Sequence, residues 1–174
     1  PIPQLLSPRP ELEMSEEMVH SKSGDMLAFL PKGWSLLDPN LVASNEVFAL
    51  AVNSEMTLSC VFSTVKTGQN QDSTIAKQGL LALARIAFER KRQKTSGSVK
   101  QIGKFGLLGV GNRMFSTFEF SAPNSTLVNR CIVFQSNAGN SYLVCLAPLS
   151  IQGIQPGEED IQKAFRSIIT TVEY

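Results

Sequence analysis

The chain has 174 residues, 43% of them apolar and 18% charged, a composition that favours one globular domain and excludes a largely disordered chain. Sixteen Lys and Arg against fifteen Asp and Glu leave a net charge of +1. A polyanion-directed protein is far more basic, so no specific nucleic-acid partner is expected. No run approaches the ~18 consecutive apolar residues of a membrane-spanning helix.

The first ten residues hold four prolines and begin with Pro1 rather than Met. We read the chain as a processed or truncated product and residues 1–17 as an extended tether. A lipoprotein spacer would have this composition, and so would an interdomain linker. A short acidic helix is expected over 11–18. The single folded domain is expected over 18–174.

Residues 25–30 predict a short strand that runs into Pro31-Lys32-Gly33, a turn composition. Residues 34–37 resume an extended path, which Asp38-Pro39-Asn40 breaks. Strands over 46–52 and 57–65 with a short polar spacer predict a hairpin. In the second, Leu58, Cys60 and Phe62 share one face. A long helix is expected over 73–94, capped by Asp72 or Ser73. Its apolar stripe includes Ile75, Ala76, Gly79, Leu80, Leu83, Ala84, Ala87 and Phe88. Ser96-Gly97-Ser98 ends it.

The second half is strand-rich. Residues 99–103 and 105–110 read as two short strands, 113–120 as an alternating strand, and 127–135 with 141–147 as a hairpin closed by a polar loop at 136–140. A loop over 148–157 precedes a second amphipathic helix over 158–170. Its opening acids, Glu158, Glu159 and Asp160, suit the positive end of the helix dipole. Short hairpin loops predict an antiparallel sheet rather than βαβ units, in an α+β chain.

Few residues point to chemistry. Cys60, Cys131 and Cys145 all lie among apolar neighbours, which predicts three reduced, inert core thiols. No cysteine pair has metal-ligand spacing and the single imidazole is His20, so no metal site is expected. A catalytic triad or dyad would have to use His20, and no nucleophile motif accompanies it. Gly103, Gly106, Gly109 and Gly111 are followed by a strand rather than a helix, so we read them as bulge and bend glycines and not as a phosphate loop. No cofactor is expected. Asn124-Ser125-Thr126 matches a glycosylation acceptor and marks an exposed turn.

Charge is distributed unevenly. Residues 85–104 carry Arg85, Arg90, Lys91, Arg92, Lys94, Lys100 and Lys104 against Glu89, a local sum of +6 in a chain of +1. Two readings apply: cations suited to the negative end of the helix dipole, or a patch that steers an anionic partner. Arg85, Arg90, Lys91, Arg92 and Lys94 are the candidate partner-binding residues, for a protein partner or an anionic surface.

Leu30-Pro31-Lys32-Gly33-Trp34 resembles the opening signature of PsbP-like and DcrB-like domains, and the element order is also similar. The resemblance covers residues 18–174. It implies an antiparallel sheet with helices on both faces, an α/β/α sandwich, with Trp34 as a packing anchor. Relatives include thylakoid-lumen proteins that assist photosystem II, envelope lipoproteins, secretion-associated chaperones and a nuclear factor that binds the GTPase Ran. Most are binding or assembly proteins rather than enzymes. The metal-linked proposals made for photosystem members find no matching His and carboxylate clusters here. The expected function is therefore a non-enzymatic binding or assembly domain of an exported, envelope or periplasmic protein, tethered or lipid-anchored at its N-terminus. The alternatives are an intracellular, cytoplasmic interaction module of the GTPase-binding or secretion-chaperone type, and a small hydrolase.

Overall fold

A computed structural model describes residues 2–150 and 154–174. In chain order the elements are β1 (Gln4–Leu5), β2 (Met14–His20), β3 (Leu27–Pro31), β4 (Ser35–Leu37), β5 (Val47–Val52), β6 (Leu58–Val65), α1 (Gln69–Gln78), α2 (Leu80–Lys94), β7 (Lys100–Val110), β8 (Arg113–Ser121), β9 (Asn129–Gln135), β10 (Ser141–Pro148) and α3 (Glu158–Thr171). Eight strands form one sheet in the order β1-β7-β8-β9-β10-β6-β5-β4. All its neighbours are antiparallel except the edge pair β1–β7.

Alternation of side chains divides the core in two. On one face Phe118 and Phe120 of β8, Cys131 and Val133 of β9, and Leu143 and Cys145 of β10 pack against Leu83, Ala84, Ala87 and Phe88 of α2. On the other, Phe115, Ile132, Phe134, Tyr142, Val144, Cys60 and Phe62 meet Ile161, Ala164, Phe165, Ile168 and Ile169 of α3. The β2–β3 hairpin shares that second layer. The fold is thus α+β, a largely antiparallel sheet with helices on both faces. Phe134 stacks on Tyr174 at 4.8 Å between ring centroids, which closes the C-terminus onto the sheet. Trp34 lies buried within the α3-side core.

Three expectations are corrected. The acidic helix over 11–18 is instead largely strand β2. Its residues find partners in the neighbouring strand: Ser15 Oγ donates to the Leu30 carbonyl oxygen at 3.1 Å, and tertiary pairing overrides weak local helix propensity. Residues within the 1–17 segment also touch the domain. Gln4 and Leu5 extend the sheet beside β7, the Leu12 N–H donates to Ser167 Oγ at 3.1 Å, and Glu11 pairs with Arg166 at 2.9 Å. The helix expected over 73–94 starts at Gln69 and breaks at Gly79, whose φ of 81° and ψ of −158° lie outside helical space. The apolar spacing runs across the break, so periodicity alone hides it. The two strands expected over 99–110 are one, β7, irregular between Ile102 and Gly106 in its pairing with β8. Gly109 in this strand is a close-approach position: a Cβ there would come 3.0 Å from the Leu5 side chain.

A further correction concerns the thiols. All three cysteines are buried, but Cys131 and Cys145 form a disulfide. They are directly opposed across β9 and β10. Only Cys60 is a free thiol, and burial pushes its pKa up. Apolar neighbours predict burial correctly; pairing depends on register, which neighbour composition does not report. The loop expected over 148–157 includes 151–153, which lie outside the described residues.

Candidate functional site

The chain leaves α2 at Thr95, and Lys91, Arg92 and Lys94 occupy its last turn, where the helix dipole favours cations. Glu46, just before β5, organises this end. Arg90 Nη2 and Lys94 Nζ both donate to its carboxylate, the latter at 3.0 Å. Arg90 Nη1 also donates to the Lys66 carbonyl oxygen at 2.6 Å. The half-buried Glu46 carboxylate therefore ties α2 to the β5–β6 hairpin. Arg92 pairs with Glu89 one turn earlier at 2.8 Å. Lys91 takes another path: its ammonium lies 5.0 Å from the centroid of Phe120, a cation–π arrangement. Burial, then the nearby charge of Lys94, lowers its pKa. Arg85 stands exposed one turn and more before this cluster.

Between α2 and the β5–β6 hairpin lies an open groove of about 270 Å³. Its floor is aliphatic: Val42, Val47, Val61, Val65, Ala87 and Leu143. Its rim carries Arg90, Lys91 and Lys94 against the single carboxylate of Glu46. The groove exists because α2 packs chiefly on β7, β8 and β9, leaving β5 and β6 less covered. The arrangement can hold an anionic group over an apolar anchor. It brings together Arg90, Lys91 and Lys94 of the expected basic patch, and places Arg85 and Arg92 outside the groove lining. The contribution of Glu46 is invisible at the sequence level, since it lies 44 residues from Arg90 in the chain.

A second polar centre was not anticipated. Asp25, in the turn after β2, accepts hydrogen bonds from Ser21 at 2.8 Å, Ser23 at 2.7 Å, Ser136 at 2.5 Å, Asn140 at 2.8 Å and the Tyr142 hydroxyl. Burial alone would raise its pKa. The hydrogen bonds, led by Ser136 and Tyr142, outweigh that and hold the carboxyl well below the usual carboxylate range. The network joins the β2–β3 turn to the β9–β10 loop. No periodicity or motif marks it. The only sequence signal is the clustering of Ser21, Ser23 and Asp25 beside a turn.

His20 is exposed, its Nδ1 3.0 Å from the Ser21 carbonyl oxygen. Among the described residues there is no group of three or more His, Cys, Asp and Glu suited to a metal ion, and no helix is long and apolar enough to cross a membrane.

The chain matches no model of a known protein family and no curated protein sequence. Its backbone does match solved structures. The solution structure of cyanobacterial PsbP (CyanoP) from Synechocystis sp. PCC 6803 superposes with a TM-score of 0.63 over 91% of this chain and 92% of that one, at 12% identity. Such a likeness is one of architecture, and the chain has a PsbP-like fold.

Proposed function

We propose that this protein is a non-enzymatic binding or assembly domain that engages an acidic surface of a protein partner through the C-terminal end of α2. The observation that carries the reading is the groove beside α2, with an aliphatic floor and three cations on its rim against one carboxylate. Arg85 and Arg92 extend the positive surface along the helix. Cations at such a rim attract acidic groups over roughly 8–10 Å at physiological salt, while the floor receives an apolar side chain. An exported protein of the cell envelope, tethered at its N-terminus, is the proposed setting. The Cys131–Cys145 disulfide supports an oxidising compartment over the cytoplasm, and the sequence resemblance to PsbP-like domains, which include thylakoid-lumen proteins, points the same way.

A glutamate-rich peptide with one central leucine is the probe. Its affinity is measured at several salt concentrations for the parent and for a double variant, Arg85→Glu and Arg92→Glu, which leaves the Glu46 clamp intact. The reading expects binding that weakens as salt rises and falls about tenfold or more in the variant, with thermal stability nearly unchanged, because exposed charges contribute little to folding. Equal affinity in parent and variant would refute it.

A further inference from the structure

The opposite face of the sheet holds a separate cleft of about 300 Å³ between α3, the floor of β7, β8 and β9, and the edge strand β1. Its walls are unusual in two respects. Arg130 is only 5% exposed, yet its guanidinium is incompletely paired. One Nη donates to Glu158 at the start of α3, the other reaches the Val128 carbonyl oxygen at a long 3.5 Å, and the buried Nε has no partner among the described residues. A buried donor without an acceptor is costly, more so when charged, and requires an explanation. Directly opposite Arg130 across β8 and β9 stands Glu119. It lines the same cleft but forms no ion pair among the described residues. The second arginine in the walls, Arg166, is already committed to Glu11 through three contacts of 2.9–3.2 Å.

The cleft therefore offers one unmet cationic donor and one unpaired carboxylate on adjacent strands. A plain anion would meet the repulsion of Glu119 and Glu158, and a plain cation that of Arg130. A dipolar ligand satisfies both. Beside these charges lie Leu6, Leu108, Phe165 and Ile169, an apolar wall, and Thr117 and Gln162 add neutral hydrogen-bonding groups. Its volume suits a ligand of few heavy atoms, at the small end of ligand pockets.

We infer that this cleft binds a small zwitterion of the α-amino-acid class with an apolar side chain. The carboxylate faces Arg130, the ammonium faces Glu119, and the side chain lies on Leu108, Phe165 and Ile169. The cleft belongs to the α3 side of the sheet and the basic groove to the α2 side, so the two sites fail or succeed independently.

The test is a titration of the folded protein with L-leucine, L-valine and L-phenylalanine, followed by amide chemical shifts. Controls are 4-methylpentanoate, which lacks the ammonium, and 3-methylbutylamine, which lacks the carboxylate. At least one amino acid is expected to saturate shifts at Thr117, Glu119, Arg130 and Gln162. Each control is expected to bind about tenfold more weakly or worse, as loss of one charge-assisted partner implies. Arg130→Met should abolish the effect. Because that variant removes a buried guanidinium and its contact with Glu158 and risks the fold, Glu119→Gln provides the second arm: about tenfold weaker binding at parental thermal stability. The inference is overturned if none of the three amino acids saturates by about 10 mM. It is equally overturned if 4-methylpentanoate binds as well as L-leucine, or if Glu119→Gln binds as the parent does. Charge reversal at Arg85 and Arg92 should leave this binding unchanged.

Discussion

Asp25 is the most heavily hydrogen-bonded carboxylate in the described structure, with five side-chain donors on it. In the folded protein its pKa lies below the ordinary value; in the unfolded chain it returns to about 4. Its stabilisation is therefore fully present above pH ~4 and declines as pH falls toward the folded value. Asp25→Asn should cost about 2–3 kcal/mol near neutrality, and the gap between parent and variant in thermal or urea melts should shrink below pH ~4. A gap that stays constant with pH would show that the charge of Asp25 is not what matters. Trp34 makes a second residue-scale case. The indole is 9% exposed within the α3-side core, so Trp34→Ala should cost about 3–5 kcal/mol in urea unfolding; a loss under about 1 kcal/mol would place the ring outside the load of the core. Residues of these two kinds differ in legibility. A large aromatic ring after a turn announces its own burial, whereas the donors of Asp25 arrive from Ser136, Asn140 and Tyr142, more than a hundred residues away in the chain.

Elements were legible where one strand or helix explains its own pattern. The hairpins β5–β6 and β9–β10 and the helix α3 follow from alternation, polar loops and a helical stripe. What escaped needed a partner. β2 looks like an acidic helix until β3 supplies its hydrogen bonds, and β1 is too short to carry a pattern. The disulfide is the instructive intermediate. Cys131 and Cys145 are each seven residues from Ala138, the middle of the predicted loop, so symmetric closure of that hairpin brings them opposite one another. The signal was present in the loop position and not in the apolar neighbours. Under non-reducing conditions the denatured protein should expose a single reactive thiol, that of Cys60; three would contradict the pairing. Reduction should lower stability by roughly 3 kcal/mol, the scale for a closed loop of this length. Gly79 tests the helix break. Its backbone conformation is one that side chains with a Cβ rarely adopt, so Gly79→Ala should cost about 1–3 kcal/mol. If the variant instead gains stability, α1 and α2 can run as one helix.

At the scale of the whole molecule, the sheet separates two functions of charge. On the α2 side, cations exceed carboxylates around an aliphatic groove; on the α3 side, buried Arg130 and part-buried Glu119 face a cleft of similar size. The cationic run over 85–104 was visible in the sequence. Its shape was not, because Glu46 and the valines of the floor come from β5, β6 and the segment before them. The arrangement also sets the division of labour within the run: Arg90 and Lys94 hold the helix to the hairpin through Glu46, Lys91 rests on Phe120, and Arg85 and Arg92 are left toward solvent. Glu46→Gln should therefore loosen the α2 end. Loss of a part-buried carboxylate that accepts from two cations costs about 1–3 kcal/mol, measurable as faster amide exchange in residues 90–95, and unchanged exchange there would discount the clamp.

The most direct test of the binding account is an amide chemical-shift map of the folded protein titrated with the leucine-centred acidic peptide. Shifts are expected to saturate over residues 85–94 and along 42–47 and 61–65, to fade as salt rises, and to spare α3 and the Arg130 cleft. Shifts confined to α3, or no saturable shifts at low salt, would contradict it.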